Sequence, residues 1–306
     1  MSGSEKSIPQ INDRIALGKA VVLTGSEFLK EIKAGRSLTL SDVDVVTTAY
    51  HASTSGTSAM LCVPVTDRGV FTRARRIWLN GVSGVPGPAP NERLGLVDTT
   101  IFSDQPGRDS QQSNYSGAQL ILDIISKKEI RVECLSAEGD NYWNTFTLDK
   151  LQFARMYVYN YFLGEPGISN KFRNLYRHFE MIRAGSKILL NKAPGIVIGC
   201  GTRSTPQRKA LSLAADMFEM DPGVVTELKI DSGVSLANSL ALAIPIISDG
   251  ALNDLREYVE TIGSQQPGEA LSTPERDISQ YLKELILSNR FSLIDSDMEL
   301  QHWIQK

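Results

Sequence analysis

The stretch Asp44-Val45-Val46-Thr47-Thr48 decides the fold class of this 306-residue chain. Every residue after Asp44 is β-branched, and such a run predicts a strand. A shorter apolar run, Val21-Val22-Leu23, predicts a strand ahead of it. Between the two, Thr24 and Glu27 have the spacing of a capping box, which predicts a helix that ends near Gly35. With an amphipathic helix expected in residues 1–20, the order helix, strand, helix, strand predicts an α/β fold, a mixed sheet with helices.

Strand and helix signals continue downstream. Thr147 is expected to cap a helix, because apolar residues recur at helical spacing from Leu151 to Phe162. Two segments that are small and polar or rich in Gly and Pro, residues 51–60 and 81–93, are expected to be loops. A further helix, capped by Ser116, is predicted at residues 116–125. Further strands are predicted at residues 76–79, 130–135, 142–146, 195–199, 211–217 and 240–247. Gly139-Asp140 suits a hairpin turn between the strands at 130–135 and 142–146.

The chain changes character after Gly250. Apolar residues from Leu252 to Ile262 recur at helical spacing, and Thr273 with Pro274 at the first helical position opens another helix. We therefore expect a single large α/β domain over residues 1–249 and a small C-terminal helical appendage over residues 250–306.

Composition excludes several classes of function. The chain is 42% hydrophobic and 22% charged with a net charge of −3, so neither nucleic acid nor an anionic membrane surface is an expected partner. No apolar run is long enough to span a membrane, and the first residues lack a signal core, so a cytoplasmic location is expected. The three cysteines form no C-x-x-C pair, and three histidines add little, so no metal site is expected. No Walker loop or G-x-G-x-x-G fingerprint predicts a nucleotide cofactor.

The leading site candidate is the loop Gly199-Cys200-Gly201-Thr202-Arg203, which follows a predicted buried strand. Glycines let the backbone turn sharply and approach a ligand, and successive N–H groups in such a turn can hold a carboxylate, phosphate or sulfonate. Arg203 adds a forked donor for the same anion, and a nearby cation favours a reactive thiolate at Cys200. The alternative is a plain strand-to-loop turn with Cys200 as a small buried apolar residue.

Asp216 lies in an otherwise apolar stretch and needs a partner if it is buried. Arg203 is a reasonable one, which makes Asp216 a candidate catalytic base; a strand-edge or capping role is the alternative. Cys134, in an alternating strand, is either a core residue or a nucleophile.

Two polar segments are candidate substrate-binding elements. Ser55-Gly56-Thr57 offers hydroxyl and N–H groups directly after a strand, where binding loops commonly lie. Asn91-Glu92-Arg93 could orient a substrate, and a solvated turn explains it equally well.

Several ordered segments resemble a known family. They are Asp42-Val43-Asp44-Val45-Val46-Thr47-Thr48, Ser55-Gly56-Thr57, Pro90-Asn91-Glu92-Arg93-Leu94-Gly95, Gly199-Cys200-Gly201-Thr202-Arg203, Ala214-Ala215-Asp216-Met217 and Ser232-Gly233-Val234-Ser235. Together they resemble the homocysteine-biosynthesis (sulfur-incorporation) family, which includes L-aspartate semialdehyde sulfurtransferases. Within it the chain looks nearest to the branch catalogued as a methanogenesis marker, proposed to act in coenzyme M biosynthesis. The likeness covers about residues 8–250, and Thr47 and Thr48 join the expected substrate-binding residues.

The resemblance implies that an anionic aldehyde becomes a thiol. Sulfide or a protein-bound persulfide attacks the carbonyl, and an external electron donor reduces the adduct; no motif predicts a bound cofactor. A thiolate cysteine suits this chemistry because it can carry sulfur and exchange disulfides. Cys134 or Cys200 is expected to carry the sulfur, an iron–sulfur, ferredoxin-like protein is the implied partner, and a homo-oligomer is expected.

The chain departs from the family pattern at the reactive cysteines. Where relatives carry a Gly-x-Asp-Cys-Tyr context, this chain reads Gly139-Asp140-Asn141-Tyr142, and the early loop reads Ser53-Thr54-Ser55-Gly56 without a cysteine. A cysteine-depleted homologue that serves as a binding or partner subunit is therefore the alternative. Acid/base chemistry centred on Asp216 is a third possibility.

Overall fold

The computed structural model describes most of the chain, and the chain divides into two compact units. The described residues are 5–108, 115–162, 182–205, 210–230, 233–263 and 273–293. The first unit comprises Met1–Ala52, Phe162–Leu211 and Ser239–Lys306, and the second comprises Ser53–Tyr161 and Ser212–Asn238.

Helices and strands occur in both units. The helices are α1 (Ile8–Ala16), α2 (Gly25–Lys33), α3 (Gly117–Ile125), α4 (Asp249–Gly263) and α5 (Thr273–Leu287). The strands are β1 (Val22–Thr24), β2 (Val45–Ser53), β3 (Ser55–Pro64), β4 (Ala74–Leu79), β5 (Val82–Pro86), β6 (Leu96–Phe102), β7 (Ile130–Ser136), β8 (Asn141–Phe146), β9 (Ala154–Phe162), β10 (Lys187–Leu190), β11 (Ala193–Cys200), β12 (Ala210–Asp216), β13 (Thr226–Ile230) and β14 (Gly233–Pro245).

The sheet of the first unit has the strand order β1-β2-β14-β10-β11. β1 and β2 are parallel, with Val22 opposite Val45, whereas β10 is antiparallel to both β11 and β14. Parallel and antiparallel pairs in one sheet, combined with helices, confirm the predicted α/β class with a mixed sheet. The two helices predicted after Gly250 are also confirmed, as α4 and α5, and both belong to this unit. The domain boundary at residue 250 stays a prediction.

Local sequence signals set the helix starts in the first unit. The capping box predicted at α2 is present: the Glu27 N–H donates to Thr24 Oγ1 at 3.2 Å, and the Thr24 N–H donates to Glu27 Oε2 at 2.7 Å. Lys283 on α5 also donates to Glu27, at 2.6 Å from Oε2. Glu27, the second residue of the capping box, therefore also links α2 to α5.

A buried carboxylate joins the N-terminal segment to the sheet of this unit. Asp44 is fully buried and accepts from Lys6 Nζ at 2.7 Å, Arg14 Nε at 2.9 Å and the Val21 N–H at 2.8 Å. Burial by itself raises the pKa of Asp44, but the hydrogen bonds from Lys6, Val21 and Arg14 outweigh it and hold that pKa below its ordinary value. Asp44 is therefore a structural anion that fixes α1 against the start of β2.

The second unit is built from the strand order β12-β9-β3-β6-β5-β4-β7-β8, with β13 paired to the first part of β14. The neighbouring strands from β9 to β8 in this order pair antiparallel. β7 and β8 form the predicted hairpin, in which Cys134 lies opposite Tyr142. Ser116 caps α3 as predicted, through a hydrogen bond of 3.3 Å from the Gln119 N–H. Apolar side chains of α3 and the strands, among them Ile121 and Ile77, are fully buried and form the core.

The helix predicted after Thr147 is wrong: only a short 3-10 turn, Leu148–Lys150, follows Thr147, and then β9 begins. The spacing that suggested a helix places Ala154, Val158 and Phe162 four residues apart, and such residues share one face of a strand as well as of a helix. Alternate residues of β9 are buried from Ala154 to Asn160, and its aromatic side chains favour a strand.

Two predicted loops contain strands. β2 continues to Ser53 and β3 starts at Ser55, so residues 51–60 are strand apart from Thr54. Within residues 81–93, β5 forms because Gly84 lies against the Thr99 hydroxyl, where a Cβ atom would overlap it. At Gly84 the small residue therefore allows close packing between strands rather than a turn.

Among the described residues, none of the helices combines the length and the apolar character that crossing a membrane requires.

Candidate functional site

The predicted site residues are divided between the two units. Those in the first unit are Thr47, Thr48, Gly199, Cys200, Gly201, Thr202 and Arg203. Those in the second unit are Ser55, Gly56, Thr57, Asn91, Glu92, Arg93, Cys134 and Asp216.

The leading candidate loop follows a strand, as predicted. β11 ends at Cys200, which is exposed, as are Thr202 and Arg203. The Gly201 N–H donates to the Ala210 carbonyl at 2.8 Å, and the Ser204 N–H donates to the Gly201 carbonyl at 3.0 Å. Because these two N–H groups are used within the turn, an anion here would be held by the Arg203 guanidinium rather than by them.

The three thiols have very different surroundings. Cys62 and Cys134 are buried, whereas Cys200 is exposed. Burial, with a hydrogen bond to the Asp98 carboxylate, raises the pKa of Cys62 to about 12. Burial, with the negative charge of Glu92, raises the pKa of Cys134 to about 11. Both thiols are therefore protonated near neutral pH, and the expectation that Cys134 acts as a nucleophile is opposed by its geometry.

Thr47 and Thr48 do not lie beside the Cys200 loop. Thr47 is buried, and its hydroxyl donates to the Ser279 carbonyl at 3.0 Å, while the Ser279 hydroxyl donates to the Thr47 carbonyl at 2.9 Å. In the sheet, β14 and β10 separate β2 from β11, which amounts to roughly 14 Å across the strands. The Thr47 side chain therefore fastens α5 to β2.

In the Ser55-Gly56-Thr57 segment, the threonine side chain is buried inside the second unit. Gly56 has a φ of +78°, and a Cβ atom there would lie 3.4 Å from the Tyr159 ring. Thr57 is buried, and its hydroxyl bonds the Thr54 hydroxyl at 2.8 Å. The side chain of Ser55 lies outside the described residues.

Asn238 completes this buried polar network. Its side-chain amide donates to the Thr54 hydroxyl at 2.9 Å and to the Thr57 hydroxyl at 3.2 Å, and its backbone carbonyl accepts from Tyr161 Oη at 3.0 Å. The Ser235 hydroxyl donates to the Thr54 carbonyl at 3.1 Å. Two segments of the family resemblance, around Thr57 and around Ser235, thus meet in one network, which their separation in sequence concealed.

The Asn91-Glu92-Arg93 segment is an internal brace rather than a solvated turn. Asn91 donates to the Asp98 carboxylate at 3.0 Å, and buried Glu92 accepts from the Ala74 N–H through Oε1 at 3.0 Å. Gly95 follows with a φ of +81°, where a Cβ atom would overlap the Thr66 carbonyl. Arg93 is the exposed member of the three.

Glu92 and Cys134 are brought together by the fold. The charge of Glu92 contributes to the raised pKa of Cys134, and Glu92 Oε2 has no hydrogen-bond partner among the described residues. Glu92 lies in a 3-10 turn and Cys134 in β7, far apart in the sequence. No sequence motif could therefore have predicted that they are neighbours.

Asp216 has a local partner. Its Oδ1 accepts from the Phe218 N–H at 3.0 Å, so its carboxylate caps the turn that follows β12. This contact is the one that the capping alternative predicts for Asp216.

Asn141 occupies the first position of β8, is exposed and pairs with Leu135. It follows the turn at Gly139, whose φ is +99°. A cysteine at this position, as the resemblance places it in relatives, would be an accessible thiol. Across the described ranges, His, Cys, Asp and Glu side chains form no group that could hold a metal ion.

A family model described as homocysteine biosynthesis enzyme, sulfur-incorporation, matches residues 20–163 and 168–265. An uncharacterized protein of Methanothermobacter thermautotrophicus is 31% identical in an alignment of 283 positions that covers 82% of this chain and 65% of that protein. L-aspartate semialdehyde sulfurtransferase of Methanocaldococcus jannaschii is 26% identical in an alignment of 286 positions that covers 80% of this chain and 55% of that enzyme. The enzyme of the same name from Methanosarcina acetivorans is 24% identical in an alignment of 283 positions that covers 80% of this chain and 55% of that enzyme.

The chain thus spans between 55% and 65% of the length of these curated relatives. No solved structure matches it significantly. Because the family model covers most of the chain, the chain belongs to the family of homocysteine biosynthesis enzymes that incorporate sulfur.

Proposed function

We propose that this protein incorporates sulfur into a small anionic aldehyde and releases a thiol, with Cys200 as the residue that carries the sulfur. Family membership supports the class of reaction, and two relatives are named L-aspartate semialdehyde sulfurtransferase. The observation that carries the assignment of Cys200 is its exposure at the end of β11, whereas Cys62 and Cys134 are buried with raised pKa values.

The chemistry follows from the accessible thiol. A persulfide formed on Cys200 attacks the aldehyde carbon through its terminal sulfur, which makes the new carbon–sulfur bond. One electron pair then breaks the sulfur–sulfur bond and regenerates the Cys200 thiol. A second electron pair, with protons, reduces the carbon as its oxygen leaves as water. If free sulfide is the sulfur donor instead of the persulfide, the reaction needs only the second of these electron pairs.

The anionic end of the aldehyde, a carboxylate in homocysteine-type and a sulfonate in coenzyme M-type synthesis, is bound by Arg203. This guanidinium is exposed three residues after the sulfur-carrying thiol and suits either anion. The two electron pairs that transfer from a persulfide consumes come from a separate iron–sulfur protein of the ferredoxin class, the partner that the family resemblance implies.

The test is to incubate the full chain with a persulfide donor and map the adducts by peptide mass spectrometry. Cys200 is expected to gain one sulfur atom, and Cys200→Ala is expected to remove both the adduct and the turnover of the aldehyde in the presence of reduced ferredoxin. Cys62→Ala and Cys134→Ala are the matched controls and should keep both. Turnover that survives in Cys200→Ala would contradict the assignment.

A second function is favoured by one observation, the exposed Asn141 at the position where the resemblance places a reactive cysteine in relatives. In this alternative the chain is a partner subunit of a sulfur-transfer complex. It predicts that the wild-type chain forms no adduct at Cys200 and that Asn141→Cys acquires one at residue 141. An adduct at Cys200 in both proteins would argue against the subunit role.

A further inference from the structure

The outer face of the hairpin β7–β8 and its neighbour β4 carries an unusual set of side chains. Trp78, Glu133 and Trp143 are directly opposite one another across the three strands. Arg76 and Arg131 lie on the same strands and are exposed. We call Arg76, Trp78, Arg131, Glu133 and Trp143 the tryptophan face. Alternation shows that this face points away from the core, because Ile130, Val132 and Cys134 on β7 are fully buried.

Trp143 is the apolar centre of the tryptophan face. It is 65% exposed. A tryptophan ring contributes strongly to binding when a partner covers it. Tryptophan and arginine are the residue types most enriched among the energetically dominant residues of protein interfaces. A face that carries an exposed tryptophan and two arginines therefore has the composition of an interface.

The charge of the tryptophan face is positive, although the chain has a net charge of −3. Glu133 is neutralised, because Arg108 Nη1 lies 2.9 Å from its Oε2. In the part of the chain that the structure describes, neither Arg76 nor Arg131 makes an ion pair. Two arginines without ion pairs thus remain on the face that carries the exposed indole, and they complement a partner with carboxylates.

We propose that the tryptophan face binds an acidic protein, whose carboxylates pair with Arg76 and Arg131 and whose apolar side chains cover Trp143. A second copy of this chain fits less well, since face-to-face contact would bring like charges together. Single-stranded nucleic acid also fits less well. The Arg108 guanidinium already lies 3.4 Å from the centre of the Trp78 ring, which leaves Trp143 as the open stacking surface of the face.

The test titrates the full chain with a labelled glutamate-rich peptide that carries leucine at regular intervals, and follows fluorescence anisotropy at low and at physiological salt. The wild-type chain is expected to bind, and more weakly as salt rises. Arg76→Glu with Arg131→Glu should weaken binding about tenfold or more, and Trp143→Ala about tenfold. The control is Lys19→Glu with Lys30→Glu, which changes the net charge equally on exposed sites of the other unit and should alter binding by less than about twofold.

Four results would overturn the proposal. They are no binding by the wild-type chain, equal weakening by the control pair, tighter binding of oligothymidylate of matched length, and a dimer in sedimentation velocity that Trp143→Ala dissociates. Far-UV circular dichroism checks that each variant is folded, and exposed positions make this the expected outcome. The sulfur chemistry at Cys200 does not enter this test.

Discussion

Replacing Asp44 with asparagine should destabilise the protein strongly at neutral pH. The buried carboxylate accepts hydrogen bonds from Lys6, Arg14 and the Val21 N–H, all within 2.9 Å. An asparagine amide keeps one oxygen acceptor, but its NH₂ group would face a donor. Asp44→Asn therefore leaves Lys6 and Arg14 without their counter-charge, at a position that is itself buried.

The expected loss follows from these contacts. A hydrogen bond to a charged group contributes about 1.5–3 kcal/mol, so losing two of them gives about 3–6 kcal/mol. The Lys6 side chain is 16% exposed, so water replaces little of its lost interaction with the carboxylate. The Arg14 side chain is 41% exposed, so water replaces a larger part. We therefore expect the lower end of that range, about 3 kcal/mol.

The assay is urea unfolding of wild type and Asp44→Asn over a range of pH. Because the pKa of Asp44 is held below its ordinary value, the ionised group adds stability above its unfolded pKa of about 3.9, and this stability is lost as pH falls through the folded pKa. The difference in free energy of unfolding between wild type and Asp44→Asn should have its full value at neutral pH and decrease below about pH 4. Asp42→Asn, at an exposed site two residues away, is the matched control and should cost less. A difference that is absent at neutral pH, or unchanged in acid, would refute the reasoning.

Three further changes test other parts of the structure. Gly95→Ala should destabilise by about 2–4 kcal/mol in thermal melts, because its methyl group would overlap a carbonyl, whereas Gly139→Ala, also at positive φ but in open space, should cost about 1 kcal/mol. Asn238→Ala should cost about 2 kcal/mol in urea unfolding, since two buried threonine hydroxyls lose their amide donor; an unchanged midpoint would show that the network adds no stability. Under native conditions iodoacetamide should label Cys200 and leave the two buried cysteines unlabelled until the chain unfolds; peptide mass spectrometry would expose the error if a buried thiol reacted first.

Signals confined to a few neighbouring residues predicted the structure well. The capping box of Thr24 and Glu27 and the serine cap of α3 are local hydrogen bonds, so their spacing alone determines them. The β-branched run of β2 and the hairpin turn at Gly139 are equally local. The α/β class could therefore be derived from the sequence.

Signals that depend on partners distant in the chain were ambiguous. The spacing of apolar residues in β9 fits a strand face and a helix face alike, and burial between β12 and β3 decides for the strand. Gly84 and Gly56 resemble loop residues, but Gly84 is required by the Thr99 hydroxyl of the neighbouring strand, and Gly56 is favoured by its positive φ within β3. No single-sequence pattern reports such contacts.

The candidate site was predictable as a set of motifs rather than as a geometry. The loop at Cys200 follows a strand as expected, whereas Glu92 and Thr57 are buried and stabilise the second unit. The distinction depends on burial, which a polar sequence motif does not reveal. The proposal of Cys200 rather than Cys134 as the sulfur carrier also depends on burial.

The most direct test of the proposed function follows one sulfur atom. The full chain is loaded with isotopically labelled persulfide, freed of excess donor, and mixed with aspartate semialdehyde or a sulfonated aldehyde and reduced ferredoxin. Sulfur transfer through Cys200 predicts that the label leaves Cys200 and appears in the thiol product within a single turnover, and that Cys200→Ala yields no labelled product. Labelled product from Cys200→Ala, or label that remains on Cys200 while product forms, would contradict it.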